Sequence, residues 1–291
     1  MTEIAAALTE GEAALTAAGI DNPRNEARLL LGHVLDITPA QVFARGDDDL
    51  AAADLKSYYA ILSARCEGRP LAHITGRREF WSMDFLVTPA TLIPRPDTET
   101  LIELVETLFK DRAAPETVLD LGTGSGCILL ALLSVFENAI GVGLDMSGDA
   151  CRIAAANARA LGFEKRARIV QGSWSAGIEG DFDLIVSNPP YIPSADIKAL
   201  DVDVRDYEPL SALDGGADGL DAYRTLIPAA MQALNEDGAL VLEVGIGQAD
   251  AVSEIASAHR LVAGPRKCDL AGTERAVSFY KKGVGIVGSR V

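Results

Sequence analysis

The chain has 291 residues, more than the roughly 100–200 that one domain usually holds, so its length predicts two domains. Hydrophobic residues make up 48% and charged residues 23%, values that are typical of a globular protein and exclude a largely disordered one. Its 26 basic and 42 acidic residues give a formal net charge of −16, which disfavours nucleic acid as a direct partner.

Cysteine and histidine give no sign of a metal site or a disulfide framework. They are spread singly along the chain as Cys66, Cys127, Cys151, Cys268, His33, His73 and His259. No C-x-x-C or H-E-x-x-H pair occurs, so we expect no metal. The N-terminus lacks a signal-peptide pattern, and the longest apolar run, Cys127–Phe136, is about half of the ~20 residues that a membrane helix needs. We therefore expect a cytoplasmic protein that does not bind membranes.

Residues 1–78 are predicted to form a small N-terminal helical domain. Apolar residues recur there at three- and four-residue spacing, and Ile4, Leu8 and Leu15 can share one helical face. Asn22-Pro23 and Thr38-Pro39 each pair a capping side chain with a proline at the first helical position, which predicts two helix starts.

Residues 79–96 do not continue the helical spacing of apolar residues. The stretch from Gly76 to Pro96 alternates apolar and polar residues imperfectly and is broken by Pro89, Pro94 and Pro96. This predicts a β-hairpin linker, followed by a helix that begins near Asp97.

Residues 97–291 alternate strand and helix patterns. Strands are predicted at Thr117–Leu121, Ala139–Leu144, Arg168–Val170, Asp183–Ser187, Ala239–Val244 and Ala276–Tyr280, and helices at Ser125–Phe136, Ser147–Leu161, Gly219–Asn235 and Gln248–Ala258. This succession predicts an α/β fold with a mostly parallel sheet covered on both faces. The last strand is expected to lie antiparallel at an edge.

A glycine-rich loop lies where the first strand of this region becomes a helix. It consists of Gly122, Thr123, Gly124, Ser125 and Gly126. Glycines allow a tight turn and close approach of a ligand to the backbone, and Asp145, 19 residues after Gly126, can accept hydrogen bonds from ribose hydroxyls. The loop therefore predicts an adenosine-containing ligand, with a purely structural turn as the alternative.

The spacing of the glycines favours one adenosine ligand over another. It is G-x-G-x-G, whereas a dinucleotide site has G-x-G-x-x-G. S-adenosylmethionine (SAM) has no pyrophosphate that needs the helix N-terminus, and its positive groups suit the acidic surroundings of Asp120 and Asp145. SAM is therefore favoured over NAD.

A second motif, Ser187-Asn188-Pro189-Pro190-Tyr191, follows an apolar strand. The carboxyl ends of parallel strands line the ligand crevice, so the motif should face the cofactor. Two prolines make a stiff element without competing N–H groups. The Asn188 side-chain oxygen and the Pro189 carbonyl can then each accept one N–H of a planar amino group, and Tyr191 can stack on it. A plain proline turn is the alternative.

These motifs together resemble the HemK/PrmC family, the protein-(glutamine-N5) methyltransferases that modify peptide chain release factors. The similar segments are Glu79–Ser82, Leu92–Glu99, Asp120–Gly126, Ser187–Ile192 and Asp201–Arg224, and the resemblance covers nearly the full length. It implies a seven-stranded, Rossmann-like SAM-dependent methyltransferase domain over 97–291 and partner docking by residues 1–78.

The resemblance also implies site residues and partners. SAM would be bound by the Gly122–Gly126 loop, Asp145, Trp174 and Asn188, and the product would be S-adenosylhomocysteine. Asn188, Pro189, Pro190 and Tyr191 would hold the glutamine of the Gly-Gly-Gln motif of a class 1 release factor, with Asn188 and Pro189 catalytic. The protein is expected to be a monomeric cytoplasmic enzyme of translation termination.

Several points stay open at this stage. The family usually has an acidic residue before the aromatic that follows the third strand, where this chain has Ser173 before Trp174, which puts the adenine contact in doubt. Trp174 can stack on adenine or belong to the core. Arg95, Asp97 and Glu99 can shape the pocket wall or form structural ion pairs. The alternative function is that of an N6-adenine nucleic-acid methyltransferase; an NAD-dependent oxidoreductase and a non-enzymatic SAM-binding module are less favoured.

Overall fold

The computed structural model describes residues 2–174 and 180–281. These residues divide into two compact units. The first comprises Met1–Arg77 with Asp201–Tyr207, and the second comprises Arg78–Leu200 with Glu208–Val291. Residues 282–291, at the end of the predicted methyltransferase segment, lie outside the described residues.

The first unit is built from helices, as the sequence predicts. Its elements up to residue 77 are β1 (Thr2–Glu3), α1 (Ile4–Ala17), α2 (Pro23–Leu35), α3 (Pro39–Ala44), β2 (Asp49–Leu50), α4 (Ala52–Cys66) and α5 (Leu71–Thr75). β1 and β2 pair antiparallel. The apolar faces meet in one core that includes Ile4, Leu15, Tyr58 and Leu62, all buried. Leu8 packs against this core, so the predicted face of α1 is confirmed.

The two predicted helix starts differ in how they are capped. The Thr38 hydroxyl accepts the Gln41 N–H at 3.2 Å, and the Gln41 side chain accepts the Thr38 N–H at 2.9 Å, which makes a reciprocal capping box. The helix start predicted at Asn22 is confirmed, but the predicted cap by its side chain is wrong. Asn22 has a left-handed φ of 52° and its side chain makes no capping hydrogen bond. A capping side chain usually sits on an extended N-cap backbone, which Asn22 does not have.

The second unit begins with a hairpin, as predicted for the linker. β3 (Arg77–Phe80) and β4 (Met83–Leu86) form a two-stranded sheet. Trp81 and Ser82 connect them with φ values of 51° and 58°, the signature of a tight hairpin turn. Each turn N–H has a carboxylate acceptor, since Trp81 N donates to Glu99 at 2.8 Å and Ser82 N to Glu79 at 2.9 Å. Glu99 thus holds the hairpin turn.

The remaining elements alternate along the chain. They are α6 (Glu99–Phe109), β5 (Thr117–Leu121), α7 (Cys127–Val135), β6 (Ile140–Asp145), α8 (Gly148–Ala160), β7 (Ala167–Gln171), β8 (Phe182–Ser187), α9 (Val202–Arg205), α10 (Asp221–Ala233), β9 (Leu234–Glu243), α11 (Ala249–Ala258), β10 (Leu261–Cys268) and β11 (Glu274–Lys281). Of these, α9 belongs to the first unit.

Seven of these strands form one sheet in the order β10-β11-β9-β8-β5-β6-β7, which confirms the predicted fold class. The pairs from β9 to β7 are parallel, and β11 lies antiparallel to β9 as predicted. The predicted edge position of β11 is wrong, because β10 pairs with its other side and forms the edge. Helices cover both faces, with separate apolar cores that include Leu129 on one face and Leu226 on the other.

The edge strand β10 was not predicted. Its sequence contains Gly264 and Pro265, which interrupt a strand pattern, and the register with β11 shifts between Ala263 and Arg266. Proline is tolerated on an edge strand at such a bulge because no ladder hydrogen bond is lost. An edge strand of this kind leaves no alternating apolar pattern for sequence analysis to detect.

The different capping of Thr38 and Asn22 leads to a stability prediction. Thr38→Ala removes a capping box and should lower the free energy of unfolding by about 1 kcal/mol. Asn22→Gly should leave it unchanged or raise it slightly, because glycine adopts a left-handed φ without strain. Urea unfolding of both variants measures this. An equal loss in the two variants would contradict the capping difference.

Candidate active site

The glycine-rich loop begins at the carboxyl end of β5 and is fixed to the neighbouring strand. The Gly122 and Thr123 N–H groups donate to the Leu144 carbonyl at 2.8 and 3.0 Å. Gly122, Gly124 and Gly126 have φ values of 78°, 56° and 83°, which residues with a Cβ rarely adopt. A Cβ at Gly122 would lie 3.2 Å from the Trp174 ring. Glycine therefore lets this indole approach the loop backbone.

Asp145 ends β6 and holds the loop from the other side. Its Oδ2 accepts the Gly124 N–H at 2.9 Å, and its Oδ1 accepts the Ser147 N–H at 2.9 Å. Ser147 in turn caps α8 by accepting the Ala150 N–H. A carboxylate oxygen can accept more than one hydrogen bond, so Asp145 can still accept from hydroxyl groups of a ligand.

The Ser187–Tyr191 motif follows β8, directly beside β5 in the sheet. The Ser187 hydroxyl, fully buried, donates to the Leu121 carbonyl at 2.6 Å and joins the ends of the two strands. The next residue, Asn188, donates from Nδ2 to the Thr98 hydroxyl oxygen at 3.2 Å. With its amino end engaged, the Asn188 amide presents its oxygen as a hydrogen-bond acceptor.

Most of the predicted site residues line one cavity of about 390 Å³. They are Gly122, Thr123, Gly124, Ser125, Asp145, Trp174, Asn188 and Pro190. Ser173 and Arg95 also line it. Every residue in its wall belongs to the second unit. The two motifs, 66 residues apart from Gly122 to Asn188, therefore meet in one concave site.

Three predicted site residues do not line that cavity. Gly126 sits at the start of α7 and is packed against Ala154, where an added Cβ would be 3.3 Å away. Pro189 is buried, and the residue bonded to its carbonyl carbon, Pro190, does line the cavity. Tyr191 packs against the apolar core on one sheet face, and burial raises its pKa to about 12.

Asn157 is a site residue that sequence analysis missed. It is 1% exposed, and its Nδ2 donates to the Ser125 carbonyl at 2.8 Å and the Leu86 carbonyl at 3.0 Å. Its Oδ1 accepts the Leu86 N–H at 2.8 Å. One buried amide thus fastens the glycine-rich loop to the hairpin. No motif marks it, because an asparagine inside a helix is usually a surface residue.

The acidic and basic residues before α6 form ion pairs and also reach the cavity. Arg95 pairs with Glu208, a side chain that is almost fully buried, and Arg95 lines the cavity. Asp97 pairs with Arg275 at 3.2 Å. Arg95 therefore both belongs to the pocket wall and forms an ion pair, whereas Asp97 forms an ion pair.

Two carboxyl groups are buried beneath the site. Asp120 is fully buried; its Oδ2 accepts the Thr123 hydroxyl at 2.7 Å, and its Oδ1 has no hydrogen-bond partner among residues 2–174 and 180–281. Burial raises its pKa to about 7, and the Thr123 hydrogen bond opposes part of that rise. Burial likewise raises the pKa of Glu243 to about 7. Burial therefore favours the neutral form of both carboxyl groups.

These features fit SAM. The loop backbone allows close approach, Asp145 has free acceptor capacity, and Trp174 offers an aromatic face. Among the described residues, no three histidine, cysteine or carboxylate side chains come close enough to hold a metal ion.

Comparison with known proteins identifies the family. A model described as the PrmC N-terminal domain matches residues 6–76, and one described as the methyltransferase small domain matches residues 95–202. The release factor glutamine methyltransferase of Rhodospirillum rubrum is 45% identical over 96% of this chain and 85% of its own length. That of Moorella thermoacetica is 42% identical over 95% and 98%. The chain belongs to the release factor glutamine methyltransferase family.

Solved structures confirm the fold of this family member. A methyltransferase from Pyrococcus furiosus matches 69% of the chain and 90% of its own length, with 20% identity and a TM-score of 0.50. The hMettl16 catalytic domain, solved with an RNA hairpin, matches 72% and 80%, with 15% identity and a TM-score of 0.55. In the described part of this methyltransferase, no helix has the length and hydropathy required to cross a membrane.

Replacing Gly122 tests the close approach of the loop to its ligand. Gly122→Ala adds a Cβ at φ 78° and places it 3.2 Å from Trp174, so SAM affinity should fall at least about 10-fold. Gly162→Ala is the matched control, with φ 80° and nothing within 4 Å of the added Cβ. Isothermal titration with SAM measures both variants. An equal loss of affinity in the control would contradict the prediction.

The buried Asp120 makes stability depend on pH. Its folded-state pKa of about 7 lies above the ordinary value of 3.8, so its neutral form stabilises the fold. That contribution is complete below pH ~4 and is lost as pH rises through about 7. The Asp120→Asn variant, in which residue 120 does not ionise, serves as the reference. The free energy of unfolding of the parent protein, minus that of this variant, should therefore fall by more than about 1 kcal/mol from pH 5 to pH 8. Denaturant titrations at both pH values measure this, and a difference independent of pH would contradict it.

Proposed function

We propose that this enzyme transfers a methyl group from SAM to the side-chain amide nitrogen, N5, of the glutamine in the Gly-Gly-Gln motif of class 1 release factors. S-adenosylhomocysteine is the other product. The observation that carries the proposal is that Asn188, whose Nδ2 donates to Thr98, lines the same cavity as the glycine-rich loop. The relatives named release factor glutamine methyltransferases support the substrate.

The chemistry of a carboxamide explains why this site needs acceptors. The nitrogen of a carboxamide is planar, its lone pair is delocalised and its two N–H bonds point outward as donors. We assign one of these N–H groups to Asn188 Oδ1 and the other to the Pro189 carbonyl, with Pro190 and Tyr191 completing the substrate site. Acceptors placed in this way orient the nitrogen and stabilise the positive charge that develops as it becomes tetrahedral.

The cofactor is assigned to the other side of the cavity. Gly122, Thr123, Gly124, Ser125 and Gly126 form the loop beneath it, although Gly126 supports the loop from outside the cavity wall. Asp145 accepts from the ribose hydroxyls and Trp174 stacks on the adenine. Bound SAM would supply an electrophilic methyl carbon: the carbon–sulfur bond breaks with its electron pair on sulfur as the amide nitrogen bonds to carbon and releases a proton to water. Orientation by the protein is worth up to about 7–11 kcal/mol of the barrier.

We assign release-factor docking to the N-terminal helical unit. This unit has its own apolar core and contributes no described residue to the cavity wall. Phe43 is 69% exposed on it, which makes it a large apolar side chain available for a contact. The proposal includes a monomeric enzyme that acts in the cytoplasm and uses no metal.

Mass spectrometry of a release factor incubated with the enzyme and SAM tests the function. One added methyl group is expected on the glutamine amide of the Gly-Gly-Gln motif. Asn188→Ala should lower the rate by about 10²–10³-fold, because it removes an acceptor that acts on developing charge. Its SAM affinity, measured by titration, reports separately on the cofactor role.

An equimolar duplex DNA and a structured RNA serve as competing substrates in the same assay. Methylated adenine with an unmodified release factor would contradict the proposal and favour the nucleic-acid alternative. The net charge of −16 supports the protein substrate, because nucleic-acid affinity depends mainly on neutralising phosphates with basic side chains.

A further inference from the structure

Gln248 is a part-buried residue at the N-terminus of α11, and both ends of its side-chain amide are hydrogen bonded. Its Oε1 accepts the Gly245 N–H at 3.0 Å. Its Nε2 donates to the Tyr191 carbonyl at 2.9 Å and to the Gly219 carbonyl at 3.4 Å. Since one partner is a donor and two are acceptors, the orientation of this amide is fixed. The side chain thus joins the end of the Ser187–Tyr191 motif to two other segments of the chain.

The hydrogen bond from Gln248 fixes the peptide unit that leaves this motif. The carbonyl of that unit, from Tyr191, accepts from Gln248, and its N–H, from Ile192, donates to the Leu213 carbonyl at 3.0 Å. The Ile192 carbonyl in turn accepts the Gly215 N–H at 2.8 Å. A peptide unit is planar, so partners at both its C=O and its N–H leave it little freedom to rotate. The end of the motif is therefore held in one orientation.

Two glycines leave the space that the Gln248 amide occupies. A Cβ at Gly219 would overlap the Tyr191 carbonyl oxygen and lie 2.6 Å from Gln248 Nε2. A Cβ at Gly245 would lie 2.8 Å from Gln248 Oε1. Both distances are shorter than van der Waals contact, so a larger residue at either position would displace the amide. The local structure is therefore built around the Gln248 side chain.

The backbone of the motif is held at its two ends. The hydrogen bond from the Ser187 hydroxyl holds its start, and the one from Gln248 to Tyr191 holds its end. Between them lie Asn188 and two prolines, which have fixed φ angles and no N–H to hydrogen bond. In the described part of the chain, the Pro189 carbonyl accepts no hydrogen bond and is available to a ligand. The backbone positions of Asn188 and Pro189 therefore depend on the two ends.

We propose that Gln248 is a positioning residue that acts through the Tyr191 carbonyl to hold Asn188 and the Pro189 carbonyl in place for the substrate. This inference rests on the proposed function, in which those two groups accept the N–H groups of the substrate carboxamide. Displacing a reacting group by about 1 Å can cost about 10²-fold in rate. Gln248 does not belong to the described wall of the cavity, so its loss should change the rate and leave SAM affinity nearly unchanged.

Substitutions at Gln248 remove its donor in two ways. Gln248→Glu keeps the length and an acceptor for Gly245, but turns a carboxylate oxygen toward the Tyr191 carbonyl, so kcat should fall at least about 10-fold. Gln248→Met removes the donor without adding charge and should lower kcat in the same way. Gln232→Glu adds the same charge at an exposed position of α10 and should keep the parent kcat. A parent-like kcat in both Gln248 variants would overturn the proposal.

A double-mutant cycle distinguishes positioning from a merely structural role. In the Asn188→Ala background, Gln248→Met should lower kcat by a smaller factor than in the parent, because one of the two groups that it positions is absent. Single-turnover rates measure both backgrounds. A structural role of Gln248 would lower the rate by the same factor in each, and that result overturns the proposal.

NMR reports on the motif without turnover. Tyr191-Ile192 is the only Tyr-Ile pair in the sequence, so ¹³C-carbonyl tyrosine combined with ¹⁵N isoleucine selects the Tyr191 carbonyl signal. This signal and the Asn188 NH₂ signals, assigned by their loss in Asn188→Ala, should move in both Gln248 variants and stay in place in Gln232→Glu.

Two NMR results would overturn the inference. A Tyr191 signal that does not move would show that Gln248 does not act on the motif, and unmoved Asn188 signals would show that its effect stops at Tyr191. A parent enzyme that does not methylate the release factor contradicts the proposed function, whereas these signals decide on Gln248 in either case.

Discussion

The site depends on the orientation of one side-chain amide. Asn188 has a donor end and an acceptor end of nearly equal size, so shape alone does not select between them. The hydrogen bond from its Nδ2 to Thr98 engages the donor end of an amide that lines the cavity. A carboxamide substrate, which offers N–H donors at its reacting nitrogen, needs this choice. The direction of this hydrogen bond thus fits a substrate whose reacting nitrogen donates N–H groups.

The sheet places this amide beside the cofactor loop. β5 and β8 are adjacent parallel strands, and the Ser187–Leu121 hydrogen bond ties their carboxyl ends together. Motifs that are distant in sequence therefore meet without a long flexible loop. Asp145 and Asn157 fix the glycine-rich loop from two further directions. Such bracing reduces the reorganisation needed when ligands bind.

Sequence analysis predicts the parts of this structure that have local signals. The alternation of strands and helices predicts the sheet, and the glycine spacing with Asp145 predicts one half of the cavity. It does not predict β10, whose Pro265 is tolerated at an edge bulge. It also does not predict Asn157, because its importance comes from tertiary neighbours far along the chain. Thr98 lies within a segment that resembles the family, yet only the fold brings its hydroxyl to Asn188.

The most direct test is a crystal structure of the enzyme with S-adenosylhomocysteine and a glutamine peptide that carries the Gly-Gly-Gln motif. The account predicts the glutamine carboxamide within about 3.2 Å of Asn188 Oδ1, in the same cavity as the sulfur atom. A carboxamide bound elsewhere, or an Asn188 whose nitrogen faces the peptide while Thr98 contacts its oxygen, would contradict it.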